Sequence, residues 1–162
     1  MSYFFKYHTT IGSFSICEEN GLITRISFRE ADRKIFEEKQ TPLIEDAGKQ
    51  LYEYIQGQRT TFSVHINMIG TEFQQKVWRE LKHIPYGKTR TCKEVAQAIG
   101  EPDSHKAVEE AAMQNPILII IPSHRLVGAS DKLLVNANAL ATKERMLAIE
   151  QKDVKEKRKR KR

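Results

Sequence analysis

Residues 70–89, GTEFQQKVWRELKHIPYGKT, predict a capped amphipathic helix that ends at a turn. Thr71 belongs to the residue types that cap a helix N-terminus, because its hydroxyl can accept a hydrogen bond from the first turn. The tripeptide Pro85-Tyr86-Gly87 is a typical helix stop. Four residues with helical spacing share one apolar face, which predicts packing in a core rather than a stacking platform: Phe73, Val77, Trp78 and Leu81.

Two shorter helices are predicted downstream, in CKEVAQAIG (residues 92–100) and SHKAVEEAAMQ (residues 104–114). The segment Gly100-Glu101-Pro102-Asp103 has the length and composition of the turn in a helix-turn-helix, whose second helix reads DNA. Glu109 and Glu110 place two carboxylates on that second helix, where the phosphates of DNA would repel them.

A short apolar run and a closing helix complete this half of the chain. Residues 117–121, ILIII, predict a buried stretch that leads to Pro122, and residues 141–150, ATKERMLAIE, predict a helix. Between them, residues 122–125 (PSHR) group a hydroxyl, an imidazole and a guanidinium as in an active-site loop.

Upstream of residue 70 the pattern changes from helical to alternating. Residues 3–30 alternate apolar and polar side chains around Glu19-Asn20-Gly21, which predicts a β-hairpin. Apolar positions from Pro42 to Gly57 keep helical spacing, and residues 59–67 (RTTFSVHIN) predict either a short strand or an extended linker. We therefore predict an α+β chain with three parts: an N-terminal domain (1–66), a helical C-terminal domain (67–150) and a basic tail (151–162).

The net charge of +6 is a property of the tail. Residues 151–162, QKDVKEKRKRKR, hold eight of the 27 lysines and arginines but two of the 21 acidic residues, which leaves 19 of each sign in residues 1–150. Such a run predicts a solvated, disordered end; a nuclear address, a phosphate-binding arm and an expression remnant are the alternatives.

Composition also limits the class of protein. The chain has no apolar stretch near the roughly 18 residues of a membrane span. Residues 1–7 lack the layout of a signal peptide, so we expect an intracellular protein, cytoplasmic or nuclear. Cys17 and Cys92 make no disulfide framework, and the five histidines lack zinc-ligand spacing. We therefore expect neither a metal nor a cofactor.

Taken together, these segments resemble the O6-alkylguanine-DNA alkyltransferases, also called methylated-DNA-protein cysteine methyltransferases. Residues 70–89 are similar to the family pattern GTxFQxxVWxxLxxIPYGxT, and residues 115–125, NPILIIIPSHR, match NPxxxxxPCHR with serine for cysteine. Lys143, Leu147 and Glu150 fit the closing KxxLLxxE pattern. The resemblance covers nearly all of residues 1–150. It implies a ribonuclease-H-like N-terminal domain and a C-terminal domain that contains a helix-turn-helix.

The resemblance also implies a catalytic site. In this family the cysteine of the motif takes the alkyl group from a guanine flipped out of the duplex, and a histidine, a water and a glutamate activate the thiol. These roles fall here on Ser123 as the nucleophile position, His124 and Glu150, while Asn115 matches the asparagine that braces the loop.

Serine is a poor replacement for cysteine in this chemistry. A thiol with a pKa of about 8.5 supplies a thiolate near neutral pH, whereas a hydroxyl is far harder to ionise. Serine hydrolases attack a carbonyl and stabilise an oxyanion, but displacement at an alkyl carbon forms no such intermediate. The sequence therefore predicts that Ser123 does not accept an alkyl group.

Other DNA-binding positions of the family are altered as well. The tyrosine that begins the first helix of the helix-turn-helix falls at Cys92, and the arginine that fills the space of the flipped base falls at Lys106. Two glycines of the reading helix fall at Glu109 and Glu110, and we group Arg125 of the PSHR motif with these positions. The YSGG loop of the base pocket aligns with four residues: Asn136, Ala137, Asn138 and Ala139.

Three functions remain open at this point. The first is an alkyltransferase homologue without methyl transfer that binds DNA or alkylated guanine in DNA repair. The second is a fold reused as an interaction module, which either no longer binds DNA or binds it through the basic tail. The third is an active methyltransferase inactivated by an engineered Cys-to-Ser change, although several departures favour natural divergence. Double-stranded DNA is the candidate partner, and the basic tail is a candidate contact for nucleic acid. We expect a monomer that does not bind a membrane, and the sequence points to no particular protein partner.

Overall fold

The structure, a computed structural model, describes residues 1–128 and 137–160, with the backbone alone for residues 137–140. The chain divides into two compact units. The first comprises Met1–Ile69 with Pro116–Ile120, and the second comprises Gly70–Asn115 with Ile121–Arg162. The first unit thus includes a short segment that returns from the second half of the chain, which the predicted division into 1–66 and 67–150 did not contain.

The first unit is built on a four-stranded sheet in the order β3-β2-β1-β4. Strands β1 and β2 pair antiparallel, β2 and β3 do the same, and β4 pairs parallel to β1. Asn20 and Gly21, between β2 and β3, have φ angles of 53° and 80°, as a two-residue hairpin turn requires. The predicted hairpin is confirmed. The strand bounds are Ser2–Thr9 (β1), Gly12–Glu19 (β2), Leu22–Ser27 (β3) and Glu37–Glu38 (β4).

Helix α1 (Pro42–Ile55) packs against β1, β2 and β3. It begins where predicted because the Thr41 hydroxyl accepts from the Ile44 N–H at 3.1 Å and proline occupies the first helical position. Its buried face consists largely of the apolar residues that have helical spacing: Ile44, Ala47, Leu51, Tyr54 and Ile55.

Two segments add to the edge of this sheet by single bridges. Ile66 pairs with Ile23, so that residues 59–67 contain one bridge and do not form a strand. Ile117, from the apolar run, pairs with Ile26. Two residues later the chain makes a γ-turn, because Ile120 N–H donates to Leu118 O at 2.9 Å around Ile119, whose φ is 74°.

The second unit is mainly helical. The Trp78 indole N–H on α2 donates to Ala111 O on α4 at 2.9 Å, and α2, α3 and α4 pack on one another. Capping boxes begin α2 at Thr71 and α3 at Thr91. The bounds are Glu72–Leu81 (α2), Arg90–Thr91 (β5), Cys92–Ala98 (α3), His105–Met113 (α4), Leu126–Val127 (β6) and Ala137–Arg160 (α5), with a single 3-10 turn over Ser123–Arg125.

Helix α5 corrects one prediction, because it continues through Arg160 where the charge run predicted a disordered tail. Gln151 Nε2 donates to Gly87 O at 2.8 Å, and Lys157 pairs with Asp153 one turn earlier at 3.3 Å. Four cations in the last turn interact favourably with the negative end of the helix dipole. The contact with Gly87, the ion pair within the helix and the helix dipole all oppose the mutual repulsion of the lysines and arginines.

The predicted α+β class is confirmed, with a small sheet and one helix in the first unit and a helical second unit. Within residues 1–128 and 137–160, every helix is too short or too polar to cross a membrane.

Candidate active site

The PSHR motif forms a single helical turn in the second unit. Ser123 N–H donates to Ile121 O at 2.8 Å, and Arg125 N–H donates to Pro122 O at 3.0 Å. His124 and Arg125 are buried, whereas Ser123 is half-buried. The turn therefore sends two side chains inward and leaves the hydroxyl partly accessible.

Asn115 braces this turn from the end of α4. Its Nδ2 donates to Ile121 O at 2.7 Å and to Ser123 Oγ at 3.0 Å. The Asn115 side chain is buried, so these two hydrogen bonds help to compensate the hydration that its amide loses on folding. The structure thus brings Asn115 to the predicted nucleophile position, as the resemblance implies.

His124 lies against Glu150 of α5. The distance between His124 Nε2 and Glu150 Oε2 is 2.5 Å, and both side chains are almost fully buried. Burial lowers the pKa of His124 more than the adjacent Glu150 raises it, and the charges of Arg125 and Lys143 lower it further. The ring is therefore neutral at neutral pH. A neutral ring that donates from Nε2 to the carboxylate carries its lone pair on Nδ1.

Arg125 points into the same buried cluster. Its Nε donates to Glu150 Oε1 at 2.9 Å, its Nη2 donates to Glu150 Oε2 at 3.1 Å, and its Nη1 donates to Ile84 O at 2.8 Å. This placement contradicts the predicted DNA contact of Arg125. A guanidinium that is paired with a buried carboxylate compensates a charge inside the unit and does not face a phosphate.

The turn after α2 supplies a partner that the sequence reasoning missed. Gly87 N–H donates to Glu150 Oε1 at 2.8 Å, and Gly87 O accepts from Gln151 Nε2 at 2.8 Å. The sequence pattern of residues 85–87 predicts a helix stop and carries no signal for this contact. Gly87 has a φ of 77°, which glycine adopts without strain, and its lack of a Cβ lets α5 approach closely, since a Cβ there would lie 2.6 Å from Val154 Cγ2.

Lys143 is a second residue that the sequence reasoning did not place near the site's charges. Its Nζ donates to Leu126 O at 2.7 Å, and the side chain is buried. The closing KxxLLxxE pattern contains Lys143, but the pattern alone does not predict that its amine donates to the backbone of β6, the strand after the PSHR turn.

The predicted DNA-binding residues on α3 and α4 differ from one another in exposure. Lys106 and Glu110 are exposed, and Glu109 is half-buried. Cys92 is 4% exposed at the first position of α3, where it packs inward with Val95 and Ala96. Burial contradicts the prediction that Cys92 contacts DNA.

The predicted base pocket is described in part. Asn136 lies outside the described residues, and Ala137, Asn138 and Ala139 begin α5 with the backbone alone described. For the described part of the chain, no group of three or more His, Cys, Asp or Glu side chains is placed to hold a metal ion.

Two family models match the chain. One, described as 6-O-methylguanine DNA methyltransferase, ribonuclease-like domain, matches residues 2–68. The other, described as 6-O-methylguanine DNA methyltransferase, DNA binding domain, matches residues 72–152. The two models describe the two domains of one family, and together they match most of the chain.

Individual proteins agree with these matches. The constitutive methylated-DNA–protein-cysteine methyltransferase of Bacillus subtilis is 38% identical over 140 residues, which span 82% of this chain and 85% of that protein. A crystal structure of Mycobacterium tuberculosis O6-methylguanine methyltransferase has a TM-score of 0.87 at 33% identity and covers 94% of each chain. A structure of Mycobacterium tuberculosis OGT in complex with DNA has a TM-score of 0.83 at 34% identity, with 93% of this chain and 94% of that chain covered.

Proposed function

The chain belongs to the 6-O-methylguanine DNA methyltransferase family, and we propose that it is a DNA-binding member that does not transfer an alkyl group to itself. The observation that carries the proposal is the hydroxyl of Ser123, which stands in NPILIIIPSHR where the family pattern has the thiol of cysteine.

Alkyl transfer to Ser123 would form an Oγ–C bond, break the bond between that carbon and O6 of guanine, and pass the hydroxyl proton to a base. The candidate base is His124, but burial lowers its pKa and makes the neutral ring a weak proton acceptor. A weak base deprotonates a hydroxyl to a far smaller extent than it deprotonates a thiol, so the fraction of reactive anion is far smaller for serine than for cysteine. The surroundings of Ser123 therefore support loss of transfer.

The polar framework around that hydroxyl supports retention of the site's shape. Asn115 holds the turn through Ile121 O and Ser123 Oγ, and Glu150 binds His124, Arg125 and Gly87 together. A site that keeps its buried hydrogen-bond network but lacks the thiol is more consistent with the binding of a ligand than with alkyl transfer. Duplex DNA, with or without an alkylated guanine, is the ligand that family membership suggests.

Mass spectrometry tests the absence of transfer. The full-length protein is incubated with excess duplex that contains O6-methylguanine, with the Bacillus subtilis relative as a positive control, and both are measured as intact proteins and as peptides. We expect the control to gain one methyl group and this protein to gain none. A methylated Ser123 would overturn the proposal.

A titration tests the DNA binding. The same duplex with and without O6-methylguanine is titrated with the protein at two salt concentrations. We expect binding that weakens with salt, and tighter binding to the lesion if the base pocket still accepts it. Undetectable binding of both duplexes at low salt would reject the DNA-binding half of the proposal.

A second candidate function is an interaction module that no longer binds DNA through α3 and α4. Its support is the charge of residues 84–116, which hold four basic and five acidic residues. Lys76 also pairs with Glu101 at 3.3 Å, and Arg90 with Glu80 at 3.4 Å, which uses part of the positive charge within the protein. This candidate predicts that substitutions on the surface of α3 and α4 leave the titration unchanged.

A further inference from the structure

The C-terminal part of α5, residues 151–160, has one docked face. Gln151 donates to Gly87 O, and a Cβ placed on Gly87 would lie 2.6 Å from Val154 Cγ2, so Val154 packs directly against that glycine. The Asp153 side chain is 12% exposed. The first turn beyond Glu150 is therefore held against the second unit rather than projecting freely.

Three lysines lie on another face of the same helix. Lys152, Lys155 and Lys159 are spaced i, i+3, i+7, which places them in one row on an α-helix, away from the angular position of Val154. All three are exposed, and the row is about 10 Å long at 1.5 Å per residue. We call these three residues the lysine row. Lys157, outside the row, pairs with Asp153.

We propose that the lysine row is a contact surface for the phosphate backbone of double-stranded DNA, an inference that rests on the proposed DNA binding. Residues 1–150 carry no net formal charge, and residues 84–116 carry more acidic than basic residues. The net positive charge of the protein therefore lies in residues 151–162, most of which belong to the end of α5. Because the row lies on a helix that is docked through Gln151 and Val154, its three lysines project from one face of the protein, where a DNA backbone can contact them together.

The composition of this segment favours DNA over a membrane surface. Helices that lie on membranes bury a face of apolar side chains in the lipid, together with their basic residues. Val154 is the one apolar residue in residues 151–160, and it packs against Gly87. The family match ends at residue 152, so Lys155 and Lys159 lie beyond it and the match does not imply this contact.

Two charge-matched variants of the full-length protein test the proposal. The row variant is Lys155→Gln/Lys159→Gln, and the control variant is Arg158→Gln/Arg160→Gln, which removes the same charge from the same turns outside the row. Circular dichroism checks that both keep the helix content of the original protein. Binding to a short fluorescent duplex is then measured between about 50 and 200 mM salt. The slope of log K against log salt is negative, and removal of each phosphate contact reduces its magnitude by about 0.9.

We expect the magnitude of this slope to fall by about 1.8 in the row variant, so that its loss of affinity between the lowest and the highest salt concentration is about tenfold smaller than that of the original protein. We expect the magnitude to fall by less than half as much in the control variant. Equal losses would overturn the inference, because the segment would then act as an undirected polycation. Unchanged slopes in both variants would also overturn it and leave the proposed function intact. If the original protein does not bind the duplex at the lowest salt, the proposed function fails together with the inference.

Discussion

Arg125 and Glu150 form a two-point ion pair inside the second unit, with Nε–Oε1 at 2.9 Å and Nη2–Oε2 at 3.1 Å. The Glu150 side chain has no exposed surface and also accepts from Gly87 N–H and contacts His124 Nε2. One carboxylate thus joins the turn after α2, the PSHR turn and α5. The stability of the candidate site depends on the compensation of this buried charge.

Removal of one partner of the pair should be costly. We expect Arg125→Met to lower the free energy of unfolding by about 3–5 kcal/mol, because it leaves the Glu150 carboxylate buried without its guanidinium. Urea denaturation measures the change. The double variant Arg125→Met/Glu150→Met should lose less than the sum of the two single variants. A cost below about 1 kcal/mol for Arg125→Met would show that water or another cation replaces the guanidinium.

The protonation of His124 should make stability depend on pH. Burial lowers its pKa in the folded protein, so below the ordinary value of about 6.5 the unfolded chain binds a proton that the folded chain does not. Above a pH of about 6.5 the titration of His124 does not reduce the free energy of unfolding. As the pH drops below that value, this titration lowers the free energy of unfolding by at most about 1.4 kcal/mol per pH unit.

The variant His124→Gln isolates this contribution. Urea denaturation between pH 7 and pH 5 should show a smaller loss of stability for the variant than for the original protein, since titrations of other groups are common to both. Parallel pH profiles for the two proteins would contradict a lowered pKa of His124.

Gly87 should be intolerant of a side chain for two separable reasons. Gly87→Ala places alanine at a φ of 77°, which costs about 1–2 kcal/mol, and its Cβ would meet Val154 Cγ2 at 2.6 Å. Gly100→Ala is the matched control, because Gly100 has a φ of 79° and open space around the added Cβ. We expect Gly87→Ala to lower the melting temperature more than Gly100→Ala does. Equal effects would mean that Val154 moves aside without cost.

Restoration of the thiol should not restore the reaction. We expect Ser123→Cys to react with a benzylguanine probe at least about a hundredfold more slowly than the Bacillus subtilis relative. A displacement of the reacting base by about 1 Å from its productive position can lower the rate by about that factor. The altered positions Lys106 and Asn136 to Ala139 are the proposed cause. A rate equal to that of the relative would show that these departures do not matter and would favour an engineered serine.

The sequence by itself determined the features that depend on neighbouring residues. Asn20 and Gly21 adopt positive φ angles where the pair predicted a hairpin, and Thr41 and Thr71 cap the helices that their spacing predicted. The motif resemblance also pointed to Asn115, Ser123, His124 and Glu150 as one site, and the structure brings these residues together. A turn, a cap or a motif is set by residues a few positions apart, so it can be recognised in the chain.

Tertiary structure alone decided which polar groups are buried and with what partners. Gly87 and Glu150 are 63 positions apart, and Arg125 and Glu150 are 25 apart, so neither contact has a local signal in the sequence. Packing also buries Cys92 on α3. Where α5 continues beyond Glu150, Gly87 accepts from Gln151 through its carbonyl, and its lack of a Cβ leaves room for Val154. The burial of a charged or polar side chain depends on partners that folding brings from distant segments, and local spacing cannot specify them.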